Sequence, residues 1–258
     1  MAGKKKEWVK VWTQTQIADD IFDLWLETDL ASEAKAGQFV GVFPLDGSIL
    51  LPRPISICEV DRQKKRLRLV YRVSGKGTRE FSHDKTGKMM EILGVLGNGF
   101  PLEAAEGKRA LLLGGGIGIP PMLQLAKDLK AEKNIVLGYR NEQLFLKEEI
   151  ARYGQSYVAT EDGSRGTKGN VLDAVRENGI EADIIYACGP LPMLKAIKEY
   201  AEDKGIPAYL SLEERMACGV GACLGCVCKT LEKHHHSHVK NARICTDGPV
   251  FAASQLDL

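Results

Sequence analysis

A short aliphatic run passes directly into a glycine cluster in the stretch Ala110-Leu111-Leu112-Leu113-Gly114-Gly115-Gly116-Ile117-Gly118-Ile119-Pro120-Pro121. The aliphatic residues predict a buried strand and the glycines predict a tight turn. Pro120 suits a helix start, because the N–H that it lacks has no helical partner there. A strand, a glycine turn and a helix in this order form the first βα unit of a doubly wound sheet, where dinucleotide phosphates bind. Ile119 takes the place of the third glycine in the G-x-G-x-x-G pattern, so a purely structural turn is the alternative.

Strand-like and helix-like runs alternate from this stretch to residue 212. Such alternation is typical of βαβ units, since successive parallel strands must be joined by a crossover. We therefore expect an α/β doubly wound domain over residues 103–212, with five parallel strands. The expected strands span residues 110–113, 135–139, 157–160, 183–188 and 208–212, and the expected helices span residues 120–130, 144–152, 171–177 and 193–204.

The chain before the glycine cluster follows a different pattern. Its apolar runs are short, and turn residues such as Gly37, Gly75 and Gly97 separate them. Several short strands at this spacing predict an antiparallel β-barrel or sandwich, which we place at residues 1–102. The expected strands span residues 21–26, 38–43, 55–60, 67–73 and 89–95.

Four cysteines near the carboxyl end have the spacing C-x4-C-x2-C…C, namely Cys218, Cys223, Cys226 and Cys245. This is the spacing of plant-type [2Fe–2S] ligation, and the glycines between the cysteines let backbone N–H groups approach the cluster sulfurs. Zinc is the alternative because four cysteines also suit it, although zinc sites usually pair two C-x2-C motifs. Residues 213–258 are too short to bury a core of their own, so we interpret them as a [2Fe–2S] cluster-binding segment.

The composition excludes several classes of protein. The 258 residues carry 35 Lys and Arg against 34 Asp and Glu, a net charge of +1. A nucleic-acid or acidic-membrane binder would need a surplus of positive charge. Seven cysteines, an odd number, without a signal peptide do not fit a disulfide framework. Glycines and prolines interrupt the longest uncharged stretch, so no spanning helix is expected and a cytoplasmic location is predicted.

Two further features lie in the last segment. Cys228 is next but one to Cys226, which disfavours binding to the same iron pair, so we interpret it as a small packing residue. The histidines in the patch His234–His238 lack ordered ligand spacing. We interpret them as part of a solvated loop, with opportunistic metal chelation as the alternative.

Three short motifs lie at strand ends. Arg53-Pro54-Ile55-Ser56 begins a predicted strand, and Gly77-Thr78 follows another, where the threonine can cap a short helix whose N–H groups bind phosphate. The run Cys188-Gly189-Pro190-Leu191-Pro192-Met193 ends a strand and opens a helix, at the sheet edge where ligands bind. Each motif alone has a structural alternative, but their order along the chain is specific.

In this order the motifs resemble the ferredoxin–NADP reductase-like flavoenzymes. Residues 214–226 and 244–251 resemble one branch of that family, the electron transfer subunits of dihydroorotate dehydrogenase B. The resemblance implies that Arg53 pairs with an FAD phosphate, that Ser56 lies near the reactive edge of the flavin and that Cys188 lies near the hydride path, so Ser56 and Cys188 are the candidate catalytic residues. It implies FAD contacts at Arg53, Pro54, Ile55, Ser56, Val70, Tyr71, Arg72, Gly77 and Thr78, and NAD contacts at Gly115, Gly116, Gly118, Cys188, Gly189 and Met193.

The resemblance also implies a partner. Electrons would pass from the FMN of a dihydroorotate dehydrogenase catalytic subunit, which oxidises dihydroorotate to orotate, through the cluster and FAD to NAD. Two such pairs would form a heterotetramer in pyrimidine biosynthesis. An NAD(P)H reductase for ferredoxin or another acceptor, such as a sulfide dehydrogenase-like subunit, and a zinc-stabilised binding protein are the alternatives. NADH is expected by resemblance, whereas the residues leave the coenzyme open: Arg140 suits a 2′-phosphate and Glu142 suits a ribose hydroxyl.

Overall fold

The computed structural model of the chain describes residues 4–233 and 238–258. Its first part is a closed barrel of six antiparallel strands in the order β1-β2-β5-β4-β3-β6. The barrel core contains the buried side chains of Leu24, Leu69 and Ile92. The strands are β1 Lys5–Ala18, β2 Ile21–Glu27, β3 Phe39–Phe43, β4 Arg53–Asp61, β5 Arg66–Arg72 and β6 Met89–Leu96, and helix α1 Lys76–Ser82 follows β5.

Strand β1 is the one barrel strand that the sequence analysis missed. Its residues alternate, so that Val9 and Val11 are buried in the barrel while Trp8 and Trp12 are exposed. Only every second residue faces the core, and charged residues fill many of the other positions, so no continuous apolar run marks the strand.

The second part is a seven-stranded sheet in the order β10-β9-β8-β7-β11-β12-β15. The five expected parallel strands are present at its centre, and two short edge strands extend it. The strands are β7 Arg109–Gly115, β8 Glu132–Tyr139, β9 Gln155–Thr160, β10 Thr167–Lys168, β11 Ile184–Cys188, β12 Ala208–Ser211 and β15 Val250–Ala252, and the helices are α2 Pro120–Asp128, α3 Lys147–Ile150, α4 Val171–Glu177 and α5 Leu191–Lys204. Expected helix 144–152 is thus only one turn long, followed by a 3-10 turn.

A buried ionic cluster joins the barrel to the sheet domain. Arg68 on β5 donates to Asp23 of β2 at 2.7 Å, to Glu59 of β4 at 3.1 Å and to Glu149 of α3 at 2.5 Å. The Arg68 side chain is only 8% exposed. Lys127 of α2 also donates to Glu59, at 2.6 Å. Three carboxylates lie close together around Arg68, so its positive charge is needed to offset their mutual repulsion.

The carboxyl-terminal segment packs on both parts. Strands β13 Val227–Lys229 and β14 Asn241–Arg243 form a hairpin, while β15 pairs antiparallel with β12 at the sheet edge. On the barrel side, the Asn98 amide donates to the backbone carbonyls of Thr246 and Asp247, each at 3.0 Å. The segment is therefore anchored to the barrel and to the sheet at once.

Two expectations concern other parts of the chain. No helix within residues 4–233 and 238–258 is long and apolar enough to cross a membrane. The cytoplasmic location stays a prediction. Residues 234–237 of the histidine patch lie outside the described residues.

Candidate flavin and nicotinamide cleft and iron–sulfur site

A cleft of about 800 Å³ lies between the barrel and the carboxyl edge of the sheet. The barrel contributes Arg72 and the turn between β1 and β2, where Asp20 has a positive φ of 56°. The sheet contributes the residues that follow β7, β8, β9 and β11, among them Gly116, Arg140 and Met193. Ligands bind at this edge of doubly wound sheets, and here the barrel closes it from the opposite side.

The glycine turn and the Cys188–Met193 turn meet at the floor of the cleft. A Cβ added at Gly115 would collide with the Met193 sulfur, and one added at Gly118 would collide with the Cys188 carbonyl. Two segments that follow neighbouring strands β7 and β11 thus approach each other closely, with the Met193 side chain packed against Gly115. The glycines therefore have a packing reason as well as the space that they leave for a ligand backbone.

Arg53 and the first turn of α1 lie side by side on the barrel. A Cβ added at Gly77 would lie 2.7 Å from the Arg53 Nε atom, so the guanidinium group rests on the glycine. Thr78 caps the helix as expected, although from the third helical position, since Gly75 is the N-cap. The Thr78 hydroxyl oxygen accepts from the backbone N–H groups of Ser74 and Gly75, at 2.9 and 3.1 Å. A cation and a helix start next to each other suit a phosphate group.

The other residues predicted to contact the flavin differ in whether their side chains reach the cleft. Arg72 lines the cleft, whereas Val70 and Tyr71 are buried. The Tyr71 ring stacks on Phe22 in the barrel interior, and its neighbour Val70 packs towards the sheet domain. Ser56 is half-buried on β4 beside Phe39 of β3. Their contacts with a flavin stay a prediction, and those of Val70 and Tyr71 would be backbone contacts.

Cys188 is buried at the end of β11, and its side chain does not line the described cleft. Burial raises the pKa of its thiol to about 12, with a further contribution from the charge of Glu213, against a hydrogen bond from Ser211 that lowers it. The thiol is therefore neutral over the physiological pH range. A catalytic role of Cys188 stays a prediction, and in such a role the side chain would be a neutral thiol and not a nucleophilic thiolate.

The acidic residues of the cleft were not predicted from the sequence, among them two glutamates on the sheet side. Glu161 directly follows β9 and Glu213 follows β12, and both line the cleft. Of the two residues weighed for the coenzyme, Arg140 lines the cleft and Glu142 does not. The rule that ligands meet the carboxyl ends of parallel strands would have identified both glutamates, had it been applied to every strand.

The four spaced cysteines come together as two pairs. The thiols of Cys218 and Cys223 interact with each other, and so do those of Cys226 and Cys245. Cys226 and Cys245 are buried, whereas Cys223 is exposed. Among the residues that the structure describes, no three acidic, histidine or cysteine side chains converge on a single-ion site. Two adjacent thiol pairs fit a core with two irons.

Backbone N–H groups donate to the sulfurs of Cys218 and Cys223, the more exposed of the two cysteine pairs. Val220 donates to Cys218 Sγ and Gly225 donates to Cys223 Sγ, both at 3.4 Å. Burial raises the pKa of Cys218, but the backbone N–H groups of Val220, Cys223 and Ala222 outweigh it and lower the pKa to about 6. A thiolate held by N–H donors is what a metal–sulfur cluster requires, so the residues present fit the group.

The loop that carries these cysteines needs glycine at Gly221. This residue has a φ of +85°, and a Cβ there would lie 2.7 Å from the Thr246 methyl group. The close approach brings the loop of the first three cysteines against the turn that follows Cys245. Cys228 lies apart on β13, half-buried against the sheet core, where burial raises the pKa of its thiol to about 11.

Two family models match the chain. Residues 213–257 match the iron–sulfur cluster binding domain of dihydroorotate dehydrogenase B, and residues 112–199 match the oxidoreductase NAD-binding domain. The chain is 45% identical over 261 residues to the electron transfer subunit of dihydroorotate dehydrogenase B (NAD+) from Geobacillus sp. (strain WCH70), covering 98% of this chain and 99% of that relative. It is 44% identical over 265 residues to the subunit of the same name from Bacillus caldolyticus, covering 100% of both.

Solved structures share this fold. A chain of the NADH-dependent reduced ferredoxin-NADP oxidoreductase, described for flavin-based electron bifurcation, superimposes with a TM-score of 0.86 at 29% identity, covering 100% of this chain and 91% of that chain. A ferredoxin NADP+ reductase from Neisseria gonorrhoeae with bound FAD and NADP has a TM-score of 0.66 at 17% identity, covering 82% of this chain and 94% of the other. The second likeness concerns the fold alone.

Proposed function

Because the chain belongs to the family of electron transfer subunits of dihydroorotate dehydrogenase B (NAD+), we propose that it conducts electrons between an FMN-containing catalytic partner and NAD. Its own cofactors in this role are FAD and a [2Fe–2S] cluster. One observation carries the proposal: two cysteine pairs lie in a segment that packs on both walls of a flavin reductase-like cleft.

FAD would be held on the barrel. Arg53 supplies a cation against the first turn of α1, and Thr78 fixes the backbone of that turn by accepting from Ser74 and Gly75. Pro54, Ile55 and Ser56 continue along β4 from the arginine. Bound FAD supplies the conversion between hydride transfer, two electrons at once, and the single-electron transfer of an iron–sulfur cluster.

The sheet side of the cleft would bind NAD. The turn at Gly115, Gly116 and Gly118 leaves the floor open, while Gly189 and Met193 border it from the neighbouring strand. Arg72 of the barrel and Glu213 after β12 line the same cleft. The neutral thiol of Cys188 lies beneath the floor, where it fills space without adding charge. These groups orient the nicotinamide and limit the access of water.

The cluster loop also supplies a docking face. Cys223 is exposed, and the neighbouring apolar side chains Val220 and Leu224 are 40% and 62% exposed. Exposed apolar residues beside a redox ligand suit a partner that must approach the cluster closely. We assign this face to the FMN-containing dihydroorotate dehydrogenase catalytic subunit, with two pairs forming a symmetric heterotetramer.

Co-expression with the catalytic subunit from the same source tests this function. A complex of two pairs should elute on size exclusion, and dihydroorotate should reduce NAD only when this chain is present. Leu224→Glu should abolish the complex while leaving iron, sulfide and FAD contents unchanged. A control variant, Leu231→Glu, changes another exposed leucine that is 48% exposed and lies outside the cysteine loop.

A reductase that serves a free ferredoxin is the second candidate. The 29% identity over the full chain to a reduced ferredoxin-NADP oxidoreductase favours it. Failure to form a complex, together with rapid NADH-dependent reduction of added ferredoxin, would replace the first function with this one.

A further inference from the structure

Arg243 ties together the two stretches of chain that carry the cluster cysteines. It is the last residue of β14, two positions before Cys245. Its Nη1 atom donates to the Gly221 carbonyl at 3.2 Å, in the loop between Cys218 and Cys223. The loop and the turn after Cys245 are therefore joined by a charged side chain and not by packing alone.

The same guanidinium group is held by Asp247. Arg243 Nε donates to Asp247 Oδ2 and Nη2 donates to Oδ1, both at 3.1 Å, and the Arg243 backbone N–H donates to Oδ2 at 2.8 Å. The backbone N–H of Asp247 in turn donates to the Arg243 carbonyl at 2.8 Å. Such a fork fixes both the position and the plane of the arginine.

The charge lies among the cluster cysteines. Arg243 is two residues before Cys245, and its guanidinium group reaches the Gly221 carbonyl between Cys218 and Cys223. Val227, the residue after Cys226, is directly opposite Arg243 in the β13–β14 hairpin, and Ile244 N donates to the Cys226 carbonyl at 2.8 Å. A positive and a negative side chain thus adjoin the place where four thiolates give the cluster its negative charge.

We propose that Arg243 is a positioning residue that holds the cluster loop closed through Gly221 and, with Asp247, sets the reduction potential of the cluster. The proposal rests on the proposed cluster function. Reduction adds one negative charge to the cluster, so a nearby cation favours the reduced state and a nearby carboxylate favours the oxidised state. Net charge and hydrogen bonds at the sulfurs are the properties by which proteins adjust such potentials.

The test removes each of the two charges singly and then both together, in the purified full-length protein with its cofactors. The cluster potential is measured by a dye-mediated titration followed by electron paramagnetic resonance. Arg243→Gln should shift the potential to more negative values, and Asp247→Asn should shift it to more positive values. The double variant should return towards the wild-type potential, because the two charges are removed together.

Arg109 and Asp183 provide a matched control. Arg109 N, Nε and Nη2 donate to the Asp183 carboxylate at 2.8, 3.2 and 3.0 Å, the same fork at the amino ends of the central strands β7 and β11, where Arg109 Nη1 also donates to Glu181 at 2.8 Å. Arg109→Gln should leave the cluster potential unchanged. Shifts of the same sign in Arg243→Gln and Asp247→Asn would show a merely structural role and overturn the proposal, as would a wild-type potential in both.

The closing function of Arg243 has its own readout. Iron release to a chelator should be at least about tenfold faster in Arg243→Gln than in Arg243→Lys, since lysine keeps a donor and the charge. Equal release rates would contradict the role of the Gly221 contact. If Arg243→Gln holds no cluster, the sign of the Asp247→Asn shift still decides the question of charge. A wild-type protein without iron and sulfide would instead refute the cluster function itself.

Discussion

The Arg53 guanidinium lies directly over Gly77, so that a side chain on the glycine would occupy the same space as the Nε atom of the arginine. The two residues are far apart in sequence and meet because β4 runs beside the turn between β5 and α1. The contact explains why a glycine is needed in the first turn of α1. It also allows the proposed phosphate site to be tested without removing a charge.

Gly77→Ala should weaken FAD binding about tenfold or more. The added Cβ would lie 2.7 Å from Arg53 Nε and force the guanidinium out of place, with the loss of a charge-assisted pair worth about 1.5–3 kcal/mol. Flavin fluorescence on titration of the apoprotein measures the affinity. Gly75→Ala is the control, because nothing lies within 4 Å of a Cβ there. Equal affinities in the two variants would contradict the site.

Serine substitution of Cys218, Cys223, Cys226 or Cys245 should abolish or greatly reduce cluster content. The structure places these four thiols in two adjoining pairs and places Cys228 apart on β13. Iron and acid-labile sulfide in anaerobically purified protein provide the measurement. Cys228→Ser should retain both, and a loss there equal to that of the other variants would mean that the ligand set is wrong. Reduction of FAD by NADH should persist in every variant.

Glu161→Gln should narrow the preference for NADH over NADPH by about tenfold, equivalent to ~1.4 kcal/mol. Glu161 lines the cleft directly after β9, where its negative charge would repel a 2′-phosphate. The rates of flavin bleaching with the two coenzymes give the ratio. Glu142→Gln, three residues after β8 and outside the cleft lining, should leave the ratio unchanged. A wild-type preference for NADPH would contradict the assignment.

Arg68→Met should lower the free energy of unfolding by about 3–5 kcal/mol, because it leaves Asp23, Glu59 and Glu149 close together without their shared cation. Urea unfolding followed by circular dichroism measures the change. Arg176→Met removes an exposed pair with Asp173 and should cost less than about 1 kcal/mol. If the two variants were equally stable, the ionic cluster would not hold the domains together.

Thiol labelling should follow the pKa order of the cysteines. In protein freed of iron by a chelator, iodoacetamide at pH 7 should modify Cys218 first, because its pKa of about 6 leaves it mainly as a thiolate. Raising the pH from 7 to 9 should then add little. Cys188, with a pKa of about 12, stays protonated over this range and should label only on unfolding. Mass spectrometry identifies the sites, and rapid native labelling of Cys188 would refute its placement.

Periodicity predicted the five central strands of the sheet domain because each contains an apolar run. It missed β1, the short edge strands β10 and β15, and the hairpin strands β13 and β14. In β1 only alternate residues such as Val9 and Val11 face the core, and β15 has three residues whose strand conformation depends on pairing with β12. A strand that exists through a distant partner leaves little local pattern.

The parts of the site that depend on spacing along the sequence could be predicted, whereas contacts between residues distant in the sequence could not. The four candidate cysteine ligands follow from their spacing in the sequence. The contact of Arg53 with Gly77 and the fork of Arg243 with Asp247 require the folded chain. Thr78 caps the helix from inside its first turn, because a hydroxyl at the third helical position reaches back to the N–H groups of Ser74 and Gly75.

The attachment of the last segment through β15 and Asn98 has a consequence for how such proteins can be rearranged. A ferredoxin that folds alone can be fused to many enzymes or exchanged between them. This cluster segment instead depends on strand β12 of the sheet and on Asn98 of the barrel part for its packing. A gene fragment that encodes only the cysteine segment would leave out these supporting contacts. Transfer of this electron path to another enzyme would therefore involve the barrel, the sheet and the cluster segment as one indivisible cassette.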